Sequence, residues 1–269
     1  VRSVVGSLVD ADVPAALVDR DTVGILHLAA VLSGGSAENF DLAMSVNVDG
    51  TRALLEAARR AGSSPRFVFT SSLAVFGGPM PDVVPEAFPT HPESTYGAFK
   101  AIGELLVNEY SRMGFVDGRV LRLPTISVRP GAPNSAASSF ASGIIREPLG
   151  GVPSTCPVPP GTRLWLSSPD AAVTNLVHAF ELDGARLGDR RTVNVPGISV
   201  TVAEMLDALA RVGGPAARDL VSVEPDPRVM GIVCSWPGDF DVTRPSALGF
   251  VRDTTFDDVV AQYRDQYLP

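Results

Sequence analysis

RFVFTSS, at positions 66–72, joins a short apolar run to a hydroxyl-rich end. The run 66–70 has the length and composition of a buried parallel strand. Similar apolar runs occur at 23–30 (VGILHLAA) and 118–123 (GRVLRL). Segments with helical spacing of apolar residues separate these three runs, so strands and helices alternate along the chain. This alternation predicts an α/β fold with a doubly wound parallel sheet that helices cover on both faces.

Two long helices are predicted between these strands. Residues 38–61 carry apolar side chains at helical spacing and are followed by Gly62, which favours a helix end. Residues 95–113 form the second helix, which ends at Gly114. Shorter elements are a strand at 3–8 and helices at 13–21, 138–146, 169–181, 202–212 (capped by Thr201) and 256–267.

The second half of the chain has a different pattern from the first. Residues 130–160 are rich in Pro, Gly, Ser and Ala. We interpret 1–128 as part of a domain built on the parallel sheet. Residues 129–269 then form mainly a smaller lobe that covers the sheet edge, with some segments returning to the first domain.

Composition excludes several classes of protein. The 269 residues carry a net charge of −8 with scattered basic residues, which argues against nucleic acid as a partner. No apolar run reaches the roughly 18 residues of a membrane span, and no signal peptide is recognisable. The two cysteines, Cys156 and Cys234, cannot form a structural zinc site alone, so we predict no metal site. We expect a cytoplasmic protein with reduced thiols.

Tyr96 and Lys100 lie four residues apart, on one face of a predicted helix. A lysine ammonium near a phenol favours the phenolate and lowers the tyrosine pKa from its usual value near 10. Such a pair suits proton removal from an alcohol, although the same spacing also arises by chance on helices. Ser72 follows a predicted central strand, where ligands bind in parallel sheets, and its hydroxyl could hold a substrate oxygen. Alternatively, the serines of this segment only begin a turn.

Five segments resemble a known family when they are taken in order. They are HLAA (27–30), NVDGT (47–51), FVFTSSLAVFG (67–77), TYGAFK (95–100) and RLPTISVRPG (122–131). The chain resembles the extended short-chain dehydrogenase/reductases, also called NAD-dependent epimerase/dehydratases, over nearly its whole length. Within that family, SLAVFGGPMP at 72–81 and IIREPLGG at 144–151 are more similar to the sugar-acid dehydrogenases than to the nucleotide-sugar epimerases.

The resemblance implies a role for each matching residue. Tyr96 is the expected general base, Lys100 the partner of the nicotinamide ribose, and Ser72 the residue that positions the substrate hydroxyl. Asn47 is expected to support the active-site helix or a water relay. The expected cofactor-binding residues are Leu8, Leu28, Ala29, Ala30, Asn47, Ser71, Tyr96, Lys100, Pro124 and Thr125.

The start of the chain departs from the family pattern. Family members open with a Rossmann-type strand, a GxxGxxG turn, a helix and a second strand, and this β-α-β unit is absent here. A β-α-β unit takes about 30 residues or more, and we estimate that about 50 residues are missing by truncation. The residue that discriminates NADP from NAD normally follows the second strand. NAD is therefore the expected cofactor, and NADP stays open.

The substrate implied by the resemblance is a small sugar acid such as D-erythronate, oxidised to the 2-oxo acid. Arg129, Arg146 and Arg163 fall in the predicted lobe, and a guanidinium suits a carboxylate, although each could also be a surface residue. The expected substrate-binding residues are Ser72, Asn134, Ser138 and Arg163. Trp165 and Trp236 are predicted to be core residues.

Two other functions stay open at this point. One is a nucleotide-sugar epimerase or reductase, which predicts a site large enough for a nucleotide diphosphate. The other is a non-catalytic NAD(P)-binding protein of the same fold. The resemblance also predicts a homodimer, in which the helices at 38–61 and 95–113 form the contact.

Overall fold

The computed structural model describes residues 3–10, 12–132 and 136–268. The helices and strands of the first part are α1 (Asp12–Leu17), β1 (Gly24–His27), α2 (Ser33–Glu38), α3 (Phe40–Ala43), a π-helix (Met44–Asp49), α4 (Gly50–Ala61), β2 (Arg66–Ser72), a 3-10 helix (Leu73–Val75), α5 (Thr95–Arg112), β3 (Asp117–Leu123) and β4 (Thr125–Ile126). Those of the second part are a 3-10 helix (Ala137–Ser139), α6 (Phe140–Leu149), β5 (Ser154–Cys156), β6 (Arg163–Ser167), α7 (Pro169–Glu181), α8 (Gly184–Leu187), β7 (Thr192–Asn194), β8 (Ile198–Thr201), α9 (Val202–Gly213), α10 (Pro215–Asp219), β9 (Val221–Val223), α11 (Pro227–Val233), α12 (Thr243–Leu248) and α13 (Phe256–Tyr267).

The main sheet has the strand order β1-β2-β3-β7, and its pairs are parallel. The central strand β2 pairs with β1 through Val68 opposite Leu26 and with β3 through Val68 opposite Arg119. Since β7 comes from the second half of the chain, that half contributes to the sheet as well as to the lobe. The predicted parallel α/β sheet is confirmed.

Helices cover both faces of this sheet. Phe67 and Phe69 point to one face, where they pack with Leu55 of α4 and Val107 of α5. Val68, between them, points to the other face and joins the core that includes Ala179 of α7. Alternate side chains of β2 therefore enter two separate cores, which is the doubly wound arrangement that the alternating pattern predicted.

The lobe contains two small sheets and a core of its own. One sheet has the order β4-β6-β8, and the other pairs β5 with β9. Its core draws on α6, α9 and α13, with Ile145, Met205 and Val260 almost fully buried. Thr201 caps α9 with a reciprocal capping box to Glu204, as the sequence predicted for this position. In the described parts of the chain, no helix combines the length and apolarity needed to cross a bilayer.

Three of the predicted elements differ most from the structure. Residues 3–8 form no strand: the side chain of Val5 is 100% exposed, so this apolar run finds no buried place in a sheet. The helix predicted over 13–21 ends at Leu17, because Asp19 accepts hydrogen bonds from Asp21 and Thr22 in a turn. The helix predicted over 38–61 is interrupted by the π-helical turn at Met44–Asp49.

Candidate active site

A cleft lies beyond the carboxyl ends of β1, β2 and β3, and it encloses a cavity of about 170 Å³. This is the edge where ligands bind in open parallel sheets. The structure brings most of the sequence-predicted site residues to this cleft. The predicted residues that line it are Leu28, Ala30, Ser71, Ser72, Tyr96, Lys100, Pro124, Thr125 and Ser138.

The start of α5 sets the position of Tyr96. Ser94 caps the helix, since its hydroxyl accepts a hydrogen bond from the Gly97 N–H at 3.1 Å. A Cβ added at Gly97 would lie 2.0 Å from the carbonyl oxygen of Ala74. Only glycine allows this close approach of α5 to the 3-10 turn that follows Ser72. Tyr96 and Ser72 consequently lie side by side.

The hydroxyls of Ser72 and Tyr96 lie in the same cleft, close enough to interact. The Ser72 Oγ accepts a hydrogen bond from the backbone N–H of Ala74 at 3.1 Å, which fixes its orientation. Burial raises the pKa of Tyr96 to about 12, although its interaction with Ser72 acts in the opposite direction. The prediction that Lys100 lowers the Tyr96 pKa is therefore wrong for the protein without bound cofactor.

The position of Lys100 explains that difference. Its Nζ lies 5.7 Å from the centroid of the Tyr96 ring, and it donates a hydrogen bond to the Thr70 carbonyl oxygen at 2.6 Å. The side-chain nitrogen is thus held at the end of β2, and burial of the phenol dominates the Tyr96 pKa. Burial also lowers the pKa of Lys100 to about 8, while the negative charge of Glu104 acts in the opposite direction.

A buried polar network adjoins Lys100 and Tyr96 at the ends of β2 and β3. The carboxylate of Glu104 accepts a hydrogen bond from the Ser71 hydroxyl at 2.5 Å. The same carboxylate forms a two-pronged ion pair with Arg122 of β3, at 2.9 and 2.7 Å. The network therefore ties the ends of β2 and β3 to α5, one turn beyond Lys100.

Asn47 shapes the loop that follows β1. Its Oδ1 accepts a hydrogen bond from the Val31 N–H at 2.7 Å, and its Nδ2 donates to the Val31 carbonyl at 3.0 Å. The residue lies in the π-helical turn, a feature that is frequent at functional sites. Nearby, His27 bonds Thr51 at 2.8 Å, and burial with the charge of Lys100 lowers the pKa of His27 to about 4. Asn47 thus holds the loop rather than facing the cavity.

Other predicted site residues lie elsewhere or outside the described residues. Leu8 is half-buried and packs on the core formed by α4 and β2. Ala29 is exposed and is not among the residues that line the cavity. Arg163 donates to the Ser199 hydroxyl at 3.2 Å, within the lobe sheet. Asn134 falls outside the described residues.

The cleft also contains two residues outside the expected substrate-binding set, although Arg129 is one of the three arginines that the sequence offers as possible partners of a carboxylate. Arg129 and Trp236 line the cleft, although Trp236 was predicted to be a core residue. Trp236 also packs against two hydrophobic clusters, so the same side chain lines the cleft and contributes to the core. No local pattern marks either residue, because the lobe brings them to Tyr96 only by folding.

The cleft residues fit the nicotinamide end of an NAD molecule. Lys100 carries three N–H donors, and Thr70 accepts from one of them. Donors of this kind suit ribose hydroxyls. Pro124 and Thr125 line the same cavity and would adjoin the nicotinamide ring.

Comparison with known proteins gives consistent results. The model of the NAD dependent epimerase/dehydratase family matches residues 3–165. A D-erythronate dehydrogenase of Cupriavidus necator is 57% identical over 265 residues, which cover 98% of this chain and 82% of that protein. A D-erythronate dehydrogenase of Haemophilus influenzae is 47% identical over 247 residues, covering 92% of this chain and 78% of its own.

A solved structure shares the fold in detail. It is the nucleoside-diphosphate-sugar epimerase from Agrobacterium tumefaciens, which has a TM-score of 0.93 and 42% identity and covers 98% of this chain and 78% of its own. The doubly wound sheet, the cleft and these similarities agree, and the chain belongs to the NAD-dependent epimerase/dehydratase family.

Proposed function

We propose that the protein is an NAD-dependent dehydrogenase that oxidises a secondary alcohol of D-erythronate to the 2-oxo acid. The observation that carries the proposal is the meeting of Ser72, Tyr96 and Lys100 in one small cleft of a family that uses NAD. The names of the two similar dehydrogenases support the choice of substrate.

In this proposal, Tyr96 acts as the phenolate and takes the proton of the substrate hydroxyl. The positive charge of a bound nicotinamide ring would favour this form over the neutral phenol of the chain without cofactor. Ser72 donates or accepts a hydrogen bond at the same oxygen and holds it against the phenol. The carbon–hydrogen bond at that carbon breaks with its electron pair, and the C–O bond becomes a carbonyl. When bound, NAD supplies the acceptor for that hydride. Lys100 orients the ribose, and such positioning of reactants contributes about 7–11 kcal/mol in favourable cases.

The size of the cleft favours a small substrate. Its cavity measures about 170 Å³, whereas pockets for drug-sized ligands usually range over about 300–1,000 Å³. The nicotinamide would share this cavity, so the space left for the substrate suits a four-carbon acid better than a nucleotide sugar.

A nucleotide-sugar epimerase is the second candidate, because the solved structure of the Agrobacterium tumefaciens protein carries that name. A further cavity of about 490 Å³ is lined by Ala136, Phe140 and Arg228. Ala136 also lines the cleft, so a larger substrate would extend from the cleft into this second space.

Two measurements on the full-length protein separate the candidates. Formation of NADH, followed at 340 nm with D-erythronate and NAD, is expected for the dehydrogenase. Calorimetric titration with a uridine diphosphate sugar is expected to show no binding. Binding of that sugar without oxidation of D-erythronate would favour the epimerase instead.

A further inference from the structure

Arg129 is held rigidly at the wall of the cleft, three residues after β4. Its backbone N–H donates to the Ser142 hydroxyl at 3.0 Å, and its carbonyl oxygen accepts from Arg146 Nη1 at 2.9 Å. Both partners belong to α6. The backbone of Arg129 is therefore fixed from two sides, and its side chain starts from a defined point.

The guanidinium of Arg129 differs from the other enclosed guanidinium groups in its partners. Among the described residues, it has no ion-pair partner, and its Nε is buried without a hydrogen bond. The other enclosed arginines differ, since Arg119 pairs with Asp117, Arg122 with Glu104 and Arg146 with Glu147. Burying an unsatisfied donor on a charged group is costly, so a native protein needs a reason to keep one.

The charge of the cleft points to the nature of the missing partner. Within the described residues, its wall includes two cations, Lys100 and Arg129, and no aspartate or glutamate. The chain as a whole carries a net charge of −8, so this local excess runs against the composition. The ammonium of Lys100 already donates to Thr70 and is offset by the nearby Glu104. Of the two cations in the described wall of the cleft, Arg129 is thus the one that can pair with the negative charge of a bound ligand.

We propose that Arg129 binds the carboxylate of the substrate and selects hydroxy acids over neutral polyols and sugars. This inference rests on the proposed function, because it assigns a role within the same cleft. A planar guanidinium offers two parallel N–H donors that match the two oxygens of a carboxylate. With the carboxylate at Arg129, the hydroxyl on the adjacent carbon would face Ser72 and Tyr96, which line the same cleft. Arg129 is a specificity-determining residue in this assignment, while proton transfer stays with Tyr96.

The test compares an acid with its neutral amide. Binding of D-erythronate and of D-erythronamide to the full-length protein saturated with NADH is measured by titration calorimetry, because this complex cannot turn over. In Arg129→Gln, affinity for the acid is expected to fall on the order of 100-fold, whereas affinity for the amide changes by less than about 3-fold. Arg129→Lys keeps the charge but loses the two-pronged geometry, so a loss of about 10-fold is expected. Arg163→Gln, outside the cleft, is the matched control and should bind both ligands as the wild type does.

Each outcome is informative. Equal affinity of Arg129→Gln and wild type for the acid would overturn the assignment, and so would a weakened affinity for NADH with the same loss for acid and amide. NADH affinity and the melting temperature of each variant show whether it is folded. A wild-type protein that neither binds nor oxidises D-erythronate would instead contradict the proposed function, which keeps the two failures distinct.

Discussion

At the scale of single residues, the pKa of Lys100 is set by two opposing influences. Burial lowers it to about 8, and the carboxylate of Glu104 acts against this decrease. The Nζ of Lys100 donates a hydrogen bond to the Thr70 carbonyl oxygen. In the proposed mechanism, turnover needs the protonated form of Lys100 and is lost as the pH rises through about 8.

Glu104→Gln tests whether the charge of Glu104 raises the pKa of Lys100. The amide keeps a hydrogen-bond acceptor for Ser71 but removes the negative charge, so the pKa of Lys100 falls further. The alkaline limb of the pH–kcat profile should move to lower pH. Glu109→Gln is the control, because Glu109 lies on the same helix and pairs with Arg112 in an exposed position. An unshifted alkaline limb in a folded Glu104→Gln protein would disprove the role of Glu104.

The residue scale also shows what sequence can predict. Ser72, Tyr96 and Lys100 could be found because their signals are local: a strand end and one helical turn. The raised pKa of Tyr96 could not be predicted, because it depends on how deeply the folded lobe encloses the phenol. The unsatisfied Nε of Arg129 likewise could not be predicted, because it depends on which residues surround the guanidinium after folding.

At the scale of elements, the contact between the start of α5 and the 3-10 turn after β2 positions the site. Gly97 makes this contact possible, since a Cβ there would meet the Ala74 carbonyl at 2.0 Å. The atom that a side chain at Gly97 would meet belongs to the backbone of Ala74, so α5 itself has to move if a side chain is added.

Gly97→Ala is therefore expected to displace Tyr96 from Ser72. A misplacement near 1 Å can lower kcat on the order of 100-fold, and overpacking costs about 1–3 kcal/mol of stability. Gly161→Ala is the control, because the space around Gly161 is open and its backbone is unstrained. Steady-state kinetics and thermal melts measure both effects. Full activity in Gly97→Ala would show that this contact does not position Tyr96.

The elements differ in how well the sequence predicts them. α7 and α13 begin and end where the periodicity indicated, because local signals mark them. Ser168 caps α7 with Pro169 at its first position, Thr255 caps α13, and both helices have apolar spacing. The π-helical turn at Met44–Asp49 has no such mark, since Asn47 reaches Val31 only in the folded chain. The segment 3–8 has strand composition but no strand, so composition alone does not decide pairing.

At the scale of the whole molecule, two helices in contact with each other, α3 and α5, carry exposed apolar side chains. Phe40 and Leu42 of α3 are 55% and 50% exposed, and Leu105 of α5 is 71% exposed. Both helices belong to segments that the family resemblance assigned to a dimer contact. We expect a homodimer in solution with these side chains at its centre.

Leu105→Asp tests the dimer. A charge at the centre of an apolar contact is costly, so light scattering coupled to gel filtration should report monomers for this variant and dimers for the wild type. Val177→Asp is the control, because Val177 is 48% exposed on α7, on the other side of the sheet. A wild-type protein that elutes as a monomer would exclude the proposed contact.

Whole-molecule features explain why part of the cleft escaped prediction. The parallel sheet follows from the alternation of strands and helices, and with it the edge where ligands bind. The lobe brings Arg129 and Trp236 to that edge across long separations in sequence. Single-sequence patterns carry no information on such contacts, and Arg163 appeared as suitable as Arg129 for that reason.

The central claim is that the Tyr96 phenol exchanges the proton of the substrate alcohol. The most direct test is the steady-state oxidation of D-erythronate by Tyr96→Phe, which removes one oxygen atom, alongside Tyr110→Phe on the same helix. Since general acid–base catalysis contributes typically 100- to 10,000-fold, kcat of Tyr96→Phe should fall by about that factor or become undetectable. NADH binding and the fold should be retained, and Tyr110→Phe should remain active. A folded Tyr96→Phe protein with near-normal kcat would contradict the account.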